Sequence, residues 1–523
     1  MRNRFEKLTE PESDKTAAQT SSSLPILTRS TVLMLSIAVG VSAFMEMLDM
    51  TIANVSVPTI AGSFGASPTQ GTWIISAYSV AAAIAVPLTG WFSKQIGEAR
   101  LLVSSVLLFT LFSAIAAFSV NLQMLVVIRL LQGFVSGPML PLAQTLLLRV
   151  FPVEKRGIAL SFWAVTLLVA PLCGPILGGY ISSNFSWRWI FLINVPVGLL
   201  SASTIWAIMG SLDTAKTKLP LDRVGLILMV VGIGALELML ETGNEYDWFA
   251  SAYITSLAIL AFVSLSFFIA WVLTSSHPIV DLHLFRDNNF RYGVLIICLG
   301  YMTFFASVVV VPLWLQTVMG YTPLNAGLAI GSTGIFMLIL GPLVARNIGR
   351  LNLRLVATFS FSVLAIVAFW NSFLSLDATF WTIVKPRIIQ GIGMSCFFIP
   401  VQALMLANIQ QERLAAASGL YSFLRTLGAA MGTAIGVAVW ENLQAQQHSR
   451  LVENVTSYST NTNTYIEALH GARLSTTQSF AVLDQLITKQ SYMLATNEFF
   501  QYSALSFLCL MSIVWLLKSN RKA

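Results

Sequence analysis

Long apolar runs constrain this chain more than any other feature. Runs of about 18 to 25 residues, the length at which an α-helix crosses the hydrocarbon core of a bilayer, recur along all 523 residues. Only 10% of the residues are charged, whereas a soluble domain carries roughly 25%. Because so few charges cannot cover a water-exposed surface, lipid must surround most of the chain. The sequence therefore predicts an all-α membrane protein, and the net charge of +7 does not indicate a nucleic-acid partner.

Fourteen transmembrane spans are predicted, numbered here in chain order. They lie at 31–54, 72–93, 101–120, 123–148, 157–181, 187–209, 224–241, 251–274, 292–315, 325–345, 353–375, 378–407, 413–440 and 499–517. With both termini in the cytoplasm, 22 of the 30 Lys and Arg residues fall on the cytoplasmic face, as the positive-inside rule requires. Four others lie inside spans: Arg129, Lys385, Arg387 and Arg425.

Several chemistries are not expected from this sequence. The four cysteines lie far apart inside apolar runs, which is neither a disulfide framework nor a metal site. No phosphate loop of the type Gly-x-x-x-x-Gly-Lys-Ser/Thr occurs, so ATP is not expected to drive the protein and no cofactor is predicted. The polar tail over 1–30 lacks a short apolar core with a cleavage site, so span 1 is expected to be an uncleaved anchor.

An internal repeat divides the chain. Arg129-Leu-Leu-Gln132-Gly133 recurs as Arg387-Ile-Ile-Gln390-Gly391, an offset of 258 residues, and at that offset Gln144 meets Gln402. The predicted domains are thus an N-terminal half over 31–210, two inserted spans over 220–275 and a C-terminal half over 290–517. Two parallel six-helix halves are typical of transporters that rock one half against the other.

Four motifs resemble the major facilitator superfamily, in its fourteen-span drug:proton antiporter branch and close to EmrB-type multidrug exporters. They are Leu48–Pro58 in span 1, Arg129-x-x-Gln132-Gly133 in span 4, Pro171–Gly179 in span 5 and Trp187–Gly198 in span 6. The resemblance implies proton-coupled export in the inner membrane of a Gram-negative bacterium. It also implies a periplasmic adaptor and an outer-membrane channel as partners. One departure lies in the loop after span 2 (Gly90, Lys94, Gly97 and Arg100), where Lys94 stands in place of the usual acid.

Glu46 and Asp49 in span 1 are the first candidates for proton coupling. A charge at the centre of a span costs about 2.5–3.5 kcal/mol, so an acid there is a functional candidate. A spacing of three residues puts both on one helix face, and two carboxylates so close are not expected to ionise together. The resemblance singles out Asp49, whereas Glu46 either tunes it or recognises cationic substrates. Solvation of both acids from outside is the alternative.

Arg129 is predicted to be a fixed positive partner of a nearby acid, since its guanidinium stays protonated. The alternative is an arginine that extends outward to the membrane surface. Arg387 is its counterpart in the second half. The polar candidates for a substrate cavity are Glu46, Gln132, Gln144, Arg387, Gln390 and Gln402.

The span 5 motif is predicted to pack helices closely through small residues. Its members are Pro171, Gly174, Pro175, Gly178 and Gly179. The resemblance implies that it seals the outward side of an antiporter, and generic packing is the alternative. Glu237 and Glu241 in span 7 lie outside both repeats, which favours a structural or rim role.

The segment over 441–498 is the one sizeable region predicted outside the membrane. Ser475-Thr-Thr-Gln478 reads as a helix capping box. The segment forms either an upright helical hairpin or an amphipathic lid on the bilayer.

These patterns predict an exporter of hydrophobic or amphipathic compounds. Two alternatives are a symporter or facilitator that imports a nutrient, and a membrane sensor or scaffold that transports nothing.

Overall fold

A computed structural model describes residues 28–151, 156–210, 220–275, 278–410, 413–456 and 458–518. Nearly all of the predicted tail over 1–30 lies outside these residues. The described chain is helical, in agreement with the predicted fold class. Eleven of its helices are long and apolar enough to cross a membrane, and twelve when the bent pair of span 2 counts as one.

Helices lie at all fourteen predicted positions. Spans 1 to 8 are formed by Arg29–Ser63; Trp73–Ala85 with Thr89–Ile96; Glu98–Ala117; Leu122–Ser136 with Met139–Val150; Arg156–Asn184; Trp189–Leu192 with Asn194–Met209; Arg223–Thr242; and Ala252–Thr274. Spans 9 to 14 are formed by Asn288–Thr317; Pro323–Gly331 with Gly334–Asn347; Leu353–Asn371; Phe380–Leu406; Leu414–Val452; and Thr476–Val514. Spans 5 and 14 are formed by Arg156–Asn184 and Thr476–Val514, which are not among the twelve helices counted above as long and apolar enough to cross a membrane.

Span 1 is longer than predicted, because the helix continues through Pro58 to Ser63. Polar residues such as Asn54 and Ser56 end the apolar run in the sequence. They are buried against other helices rather than exposed at a helix end, so the helix does not stop where the hydropathy falls. Gly65, in the left-handed region at φ +68°, follows the end of the helix.

The segment over 441–498 is mostly helix, so spans 13 and 14 extend well beyond their predicted ends. Both helices have 39 residues, or about 58 Å, against a hydrocarbon core of about 30 Å. Gln444 Nε2 donates to Ser491 Oγ at 3.0 Å, and a short helix over Thr460–Gly471 joins the two arms. The two long helices and the short one between them form a helical hairpin, and the capping box at Ser475 is confirmed. That the hairpin stands upright on the bilayer stays a prediction.

The close packing of each half explains the glycine that ends each repeated motif. A Cβ on Gly133 would lie 2.1 Å from the carbonyl oxygen of Tyr78 in span 2. A Cβ on Gly391 would lie 2.1 Å from the carbonyl oxygen of Thr333 in span 10. Both distances are far below van der Waals contact, so only glycine lets spans 4 and 12 approach these neighbours.

Candidate functional site

A buried ion pair joins span 1 to span 4. Arg129 Nη1 donates to Asp49 Oδ2, and the two residues are 0% and 1% exposed. The structure therefore brings together the acid and the arginine that the sequence singled out. Because the Arg129 side chain is wholly buried, it does not have the outward orientation of the alternative prediction.

Two further spans, 3 and 6, complete the surroundings of Asp49. Asn194, the first residue of the second helix of span 6, donates from Nδ2 to Asp49 Oδ1 and to Ser113 Oγ of span 3, both at 3.0 Å. Ser113 Oγ donates in turn to the carbonyl oxygen of Phe191 at 2.9 Å. Asn194 and Ser113 received no role in the sequence analysis, although Asn194 belongs to a quoted motif.

Arg129 has other partners besides the carboxylate. Its Nε donates to the carbonyl oxygen of Ile74 at 3.1 Å and its Nη1 to Gln132 Oε1 at 2.9 Å. The guanidinium also lies over the Tyr78 ring, 4.1 Å from the centroid, a stabilising cation–π contact. The guanidinium thus keeps partners whether or not Asp49 carries a charge.

Glu46 has a different environment from Asp49, although it is also buried, at 4% exposed. The backbone N–H of Leu140 faces its carboxylate, and Arg425 of span 13 is a positive charge near enough to act on it. Leu140 lies in the first turn of the helix Met139–Val150, where backbone N–H groups have no partner within the helix. The two acids therefore differ from the symmetric dyad of the sequence prediction, since Asp49 forms a direct ion pair with Arg129 and Glu46 forms none among the described residues.

Arg425 belongs to the C-terminal half, so the positive charge near Glu46 comes from across the boundary between the two halves. Its guanidinium lies 5.4 Å from the ring centroid of Tyr301 and 5.6 Å from that of Phe398. Nearby in the C-terminal half, Gln402 Nε2 donates to Tyr421 Oη at 3.0 Å. Arg425 was missed as a site residue. Its signal was present, since it is one of four basic residues inside predicted spans.

Arg387 in span 12 repeats part of the Arg129 geometry. Its Nη1 donates to Gln390 Oε1 at 2.9 Å, and its guanidinium lies 5.4 Å from the Phe500 ring centroid. Both Arg387 and Gln390 are buried. Gln144, by contrast, is a half-buried residue of the second helix of span 4.

The span 5 motif packs against both halves. A Cβ on Gly174 would lie 2.1 Å from Thr51 Oγ1, and one on Gly178 would lie 2.3 Å from the Ile52 carbonyl oxygen, both in span 1. A Cβ on Gly179 would lie 2.4 Å from the Pro323 carbonyl oxygen of span 10. The glycines therefore allow close contact within the N-terminal half and between the halves.

Pro171 and Pro175 lie inside the same continuous helix. The Pro175 carbonyl oxygen would lie 2.2 Å from a Cβ on Gly327 of span 10. This contact adds to the close approach of the two halves.

The loop after span 2 is a tight turn between two helices. Gly97 has φ +99°, in the left-handed region that favours glycine, and joins the helix that contains Gly90 and Lys94 to the one that contains Arg100. Lys94 and Arg100 are exposed. Below them, Arg149 Nη1 of span 4 lies 3.4 Å from Glu98 Oε2.

Two packed helical halves, a buried ion pair and opposite charges where the halves meet are the arrangement of a secondary transporter. The sequence model of the Major Facilitator Superfamily matches residues 39–433, and the chain belongs to that superfamily. It is a multi-pass membrane protein.

Named relatives match along almost their whole length. The chain is 42% identical over 488 residues to the multidrug export protein EmrB of Haemophilus influenzae, which covers 93% of this chain and 96% of that protein. It is 43% identical over 482 residues to the fatty acid resistance protein FarB of Neisseria gonorrhoeae, covering 92% and 95%.

Among solved structures, the chain is similar to a bacterial homolog of the human lysosomal transporter Spinster in an inward-facing, unoccupied conformation. The TM-score is 0.59 at 13% identity, over 94% of this chain and 100% of that one. This likeness shows the fold alone.

Proposed function

We propose that this protein is a proton-coupled antiporter that exports hydrophobic or amphipathic compounds across the inner membrane of a Gram-negative bacterium. Export of drugs or fatty-acid-like compounds is supported by relatives named for multidrug export and fatty acid resistance. The observation that carries proton coupling is the buried pair of Asp49 and Arg129.

Asp49 is the proton carrier in this proposal. Removing one partner of a buried ion pair costs about 3–5 kcal/mol, because the other charge is left without compensation. Here Gln132, the Ile74 carbonyl and the Tyr78 ring still hold Arg129 after Asp49 takes up a proton. The pair can therefore open at a smaller cost than an isolated buried pair.

Span 1 connects the proton site to the packing of span 5. Asp49 lies two residues before Thr51, whose hydroxyl meets the backbone at Gly174, and three before Ile52, whose carbonyl meets Gly178. A shift of span 1 on protonation would act on this tight contact and through span 5 on the contact with span 10. In the proposed cycle this motif seals the outward side until the halves rock apart.

The substrate binds where the halves meet, between Glu46 and Arg425. A cationic substrate is attracted to Glu46. An anionic substrate instead binds Arg425 through its own carboxylate, in the position opposite Arg425 that Glu46 otherwise occupies. Tyr301 and Phe398 beside Arg425 supply aromatic surface for an apolar body. One charge of each sign thus suits a broad range of amphipathic substrates.

The helical hairpin over 441–498 is proposed to stand in the periplasm with both termini of the chain in the cytoplasm. There it would meet a periplasmic adaptor that leads to an outer-membrane channel. The length of its two arms beyond the hydrocarbon core supports this role.

Reconstitution in liposomes with an imposed pH gradient tests the coupling. We expect substrate to accumulate in the direction opposite to proton flow, measured with an internal pH dye and a fluorescent substrate. Movement of substrate and protons in the same direction would instead establish the symporter alternative. A pH signal that does not respond to substrate would favour a protein that transports nothing.

A further inference from the structure

An acidic cavity lies away from the proton site, where span 7 meets spans 2 and 13. Its volume is about 220 Å³, and its polar lining includes Gln70, Glu241, Asn244, Glu245 and Glu441, beside Trp73. No basic side chain is among its lining residues. The cavity therefore concentrates negative charge at one end of the bundle. The first and last described residues, Thr28 and Lys518, lie at the other end.

Two of the lining acids are held in place by amides. Gln70 Nε2 donates to Glu245 Oε1 at 2.8 Å, and Asn244 Nδ2 donates to Glu441 Oε2 at 3.0 Å. Trp248 Nε1 donates to Asn244 Oδ1 at 2.7 Å and so orients that amide. Since neutral amides supply these contacts, the negative charges of the two glutamates are not neutralised by them.

Both acids of span 7 have a carboxylate oxygen without a hydrogen-bond partner among the described residues. Glu241 Oε1 is inaccessible to solvent and has no hydrogen-bond partner within the described chain. Glu237, one helical turn deeper, is 7% exposed and its Oε1 likewise has no partner there. Ser76 still donates to the Glu241 carboxylate, but a buried carboxylate oxygen without a partner is costly, which is a reason for a ligand to bind beside it.

An apolar cavity adjoins the acidic one. It has a volume of about 230 Å³ and shares Leu240 and Ala438 with the first cavity. Its remaining apolar lining consists of Trp248, Ile435, Val439 and Leu443. An acidic cavity beside an apolar one matches a molecule with a cationic head and an apolar tail.

A metal ion fits the acids less well. Among the described residues, no three acidic, His or Cys side chains lie close enough together to hold one. A compact metal site would also leave the apolar cavity unexplained.

We propose that these two cavities form a second binding site, for an amphipathic organic cation such as an alkylammonium compound. The head lies among Glu241, Glu245 and Glu441, with Glu237 beneath, and the tail lies along Val439 and Leu443. Span 7, which belongs to neither repeat, thereby contributes to a site between the two halves. This site goes beyond the proposed transport cycle and does not depend on its direction.

Equilibrium binding of radiolabelled decyltrimethylammonium tests the site, with the full chain in nanodiscs of zwitterionic phosphatidylcholine. We expect Glu241→Gln to weaken binding about tenfold, since a charge-assisted contact is lost. The matched control Glu453→Gln, an exposed acid at the same end of the bundle, should leave the affinity within about twofold.

Two more variants keep the test decisive if Glu241→Gln folds poorly. Val439→Trp fills the apolar cavity and should weaken decyltrimethylammonium binding while leaving tetramethylammonium binding unchanged. Glu46→Gln should leave one class of decyltrimethylammonium sites intact. Unchanged binding in both Glu241→Gln and Val439→Trp, or loss of all binding in Glu46→Gln alone, would overturn the proposal. So would displacement of the probe by millimolar Ca²⁺ but not by other alkylammonium ions, because that result would indicate a metal site.

Discussion

The two halves of the molecule share an arginine but differ in what faces it. Arg129 and Arg387 each donate to a glutamine one turn on, at 2.9 Å in both cases. Among the residues that the structure describes, only Arg129 also pairs with an acid. At the repeat offset of 258, Asp49 corresponds to Ser307 and Glu46 to Phe304.

This difference separates packing from chemistry. The arginine, the glutamine and the glycine that follows occur in both halves, so they serve what both halves need: a close helix contact and an oriented side chain. The two acids occur in one half only. Within the described chain, no carboxylate forms an ion pair with Arg387. In the proposed cycle this difference favours proton binding in the N-terminal half, with the C-terminal half presenting charge to substrate.

The strongest test replaces the unmatched acid. Asp49→Asn keeps the hydrogen-bonding shape of the side chain but cannot exchange a proton, so gradient-driven transport should fall at least about 100-fold. Substrate binding should change little, because Asp49 contacts Arg129 and Asn194 rather than the boundary between the halves. Liposome transport and equilibrium binding measure the two effects. Ser307→Ala, at the equivalent place in the other half, is the control and should retain transport within about twofold. Coupled transport by Asp49→Asn would remove Asp49 from the mechanism.

Replacement by lysine should reduce transport more at Arg129 than at Arg387. A lysine cannot reproduce the forked contacts of Arg129 to Asp49, Gln132 and the Ile74 carbonyl, so Arg129→Lys should reduce transport about tenfold or more. Arg387→Lys keeps the positive charge where one hydrogen bond is recorded, and we expect a loss of about threefold or less. The same transport assay compares them, with the melting temperature as a check on folding. Equal losses would mean that both arginines act in packing alone.

Glu46 should control preference rather than coupling. Glu46→Gln removes the negative charge opposite Arg425, so export of cations should fall about fivefold relative to export of carboxylates, an effect of about 1 kcal/mol. Proton movement per anionic substrate should be unchanged. A panel of cationic and anionic fluorescent substrates measures the ratio. Phe304→Leu, at the equivalent place in the other half, serves as the control for altered packing. Loss of coupling for every substrate would instead make Glu46 a second proton carrier.

The sequence was most informative where a charge interrupts an apolar run. Asp49, Glu46, Arg129 and Arg387 stand out because a charge in a span is costly, and the repeat stands out because Arg and Gln recur in register. What those charges touch was much less predictable. Asn194, Ser113 and the Leu140 N–H reach their partners through helix packing between distant parts of the chain, and nothing local marks such contacts.

The length of spans 13 and 14 was underestimated for another physical reason. Hydropathy detects helix only where lipid surrounds it, and the hairpin arms are polar outside the membrane. Gln444 Nε2, for example, donates to Ser491 Oγ at 3.0 Å across the two arms. Such contacts between helices stabilise the arms where the apolar signal has ended.

The smallest expected effect concerns an ion pair outside the membrane. Arg413 Nη2 lies 2.6 Å from Asp281 Oδ2, but the two side chains are 44% and 30% exposed. Burial raises the pKa of Asp281, yet hydrogen bonds from Arg413 and the His283 backbone outweigh it, so the pKa is lowered from its ordinary value. The stabilisation is therefore present above the unfolded-state pKa of about 4 and lost as pH falls through the lower folded-state pKa.

Water screens this pair, unlike that of Asp49 and Arg129, so it is worth only about 0.2–1 kcal/mol. Asp281→Asn should lower the melting temperature at pH 7 by about 1–2 °C, with a smaller difference in high salt. Glu467→Gln, another exposed acid, should have no measurable effect. We expect burial, rather than the identity of the two charges, to set how much an ion pair stabilises this protein. A loss of stability in Asp281→Asn as large as that caused by breaking the buried pair of Asp49 and Arg129 would contradict this view.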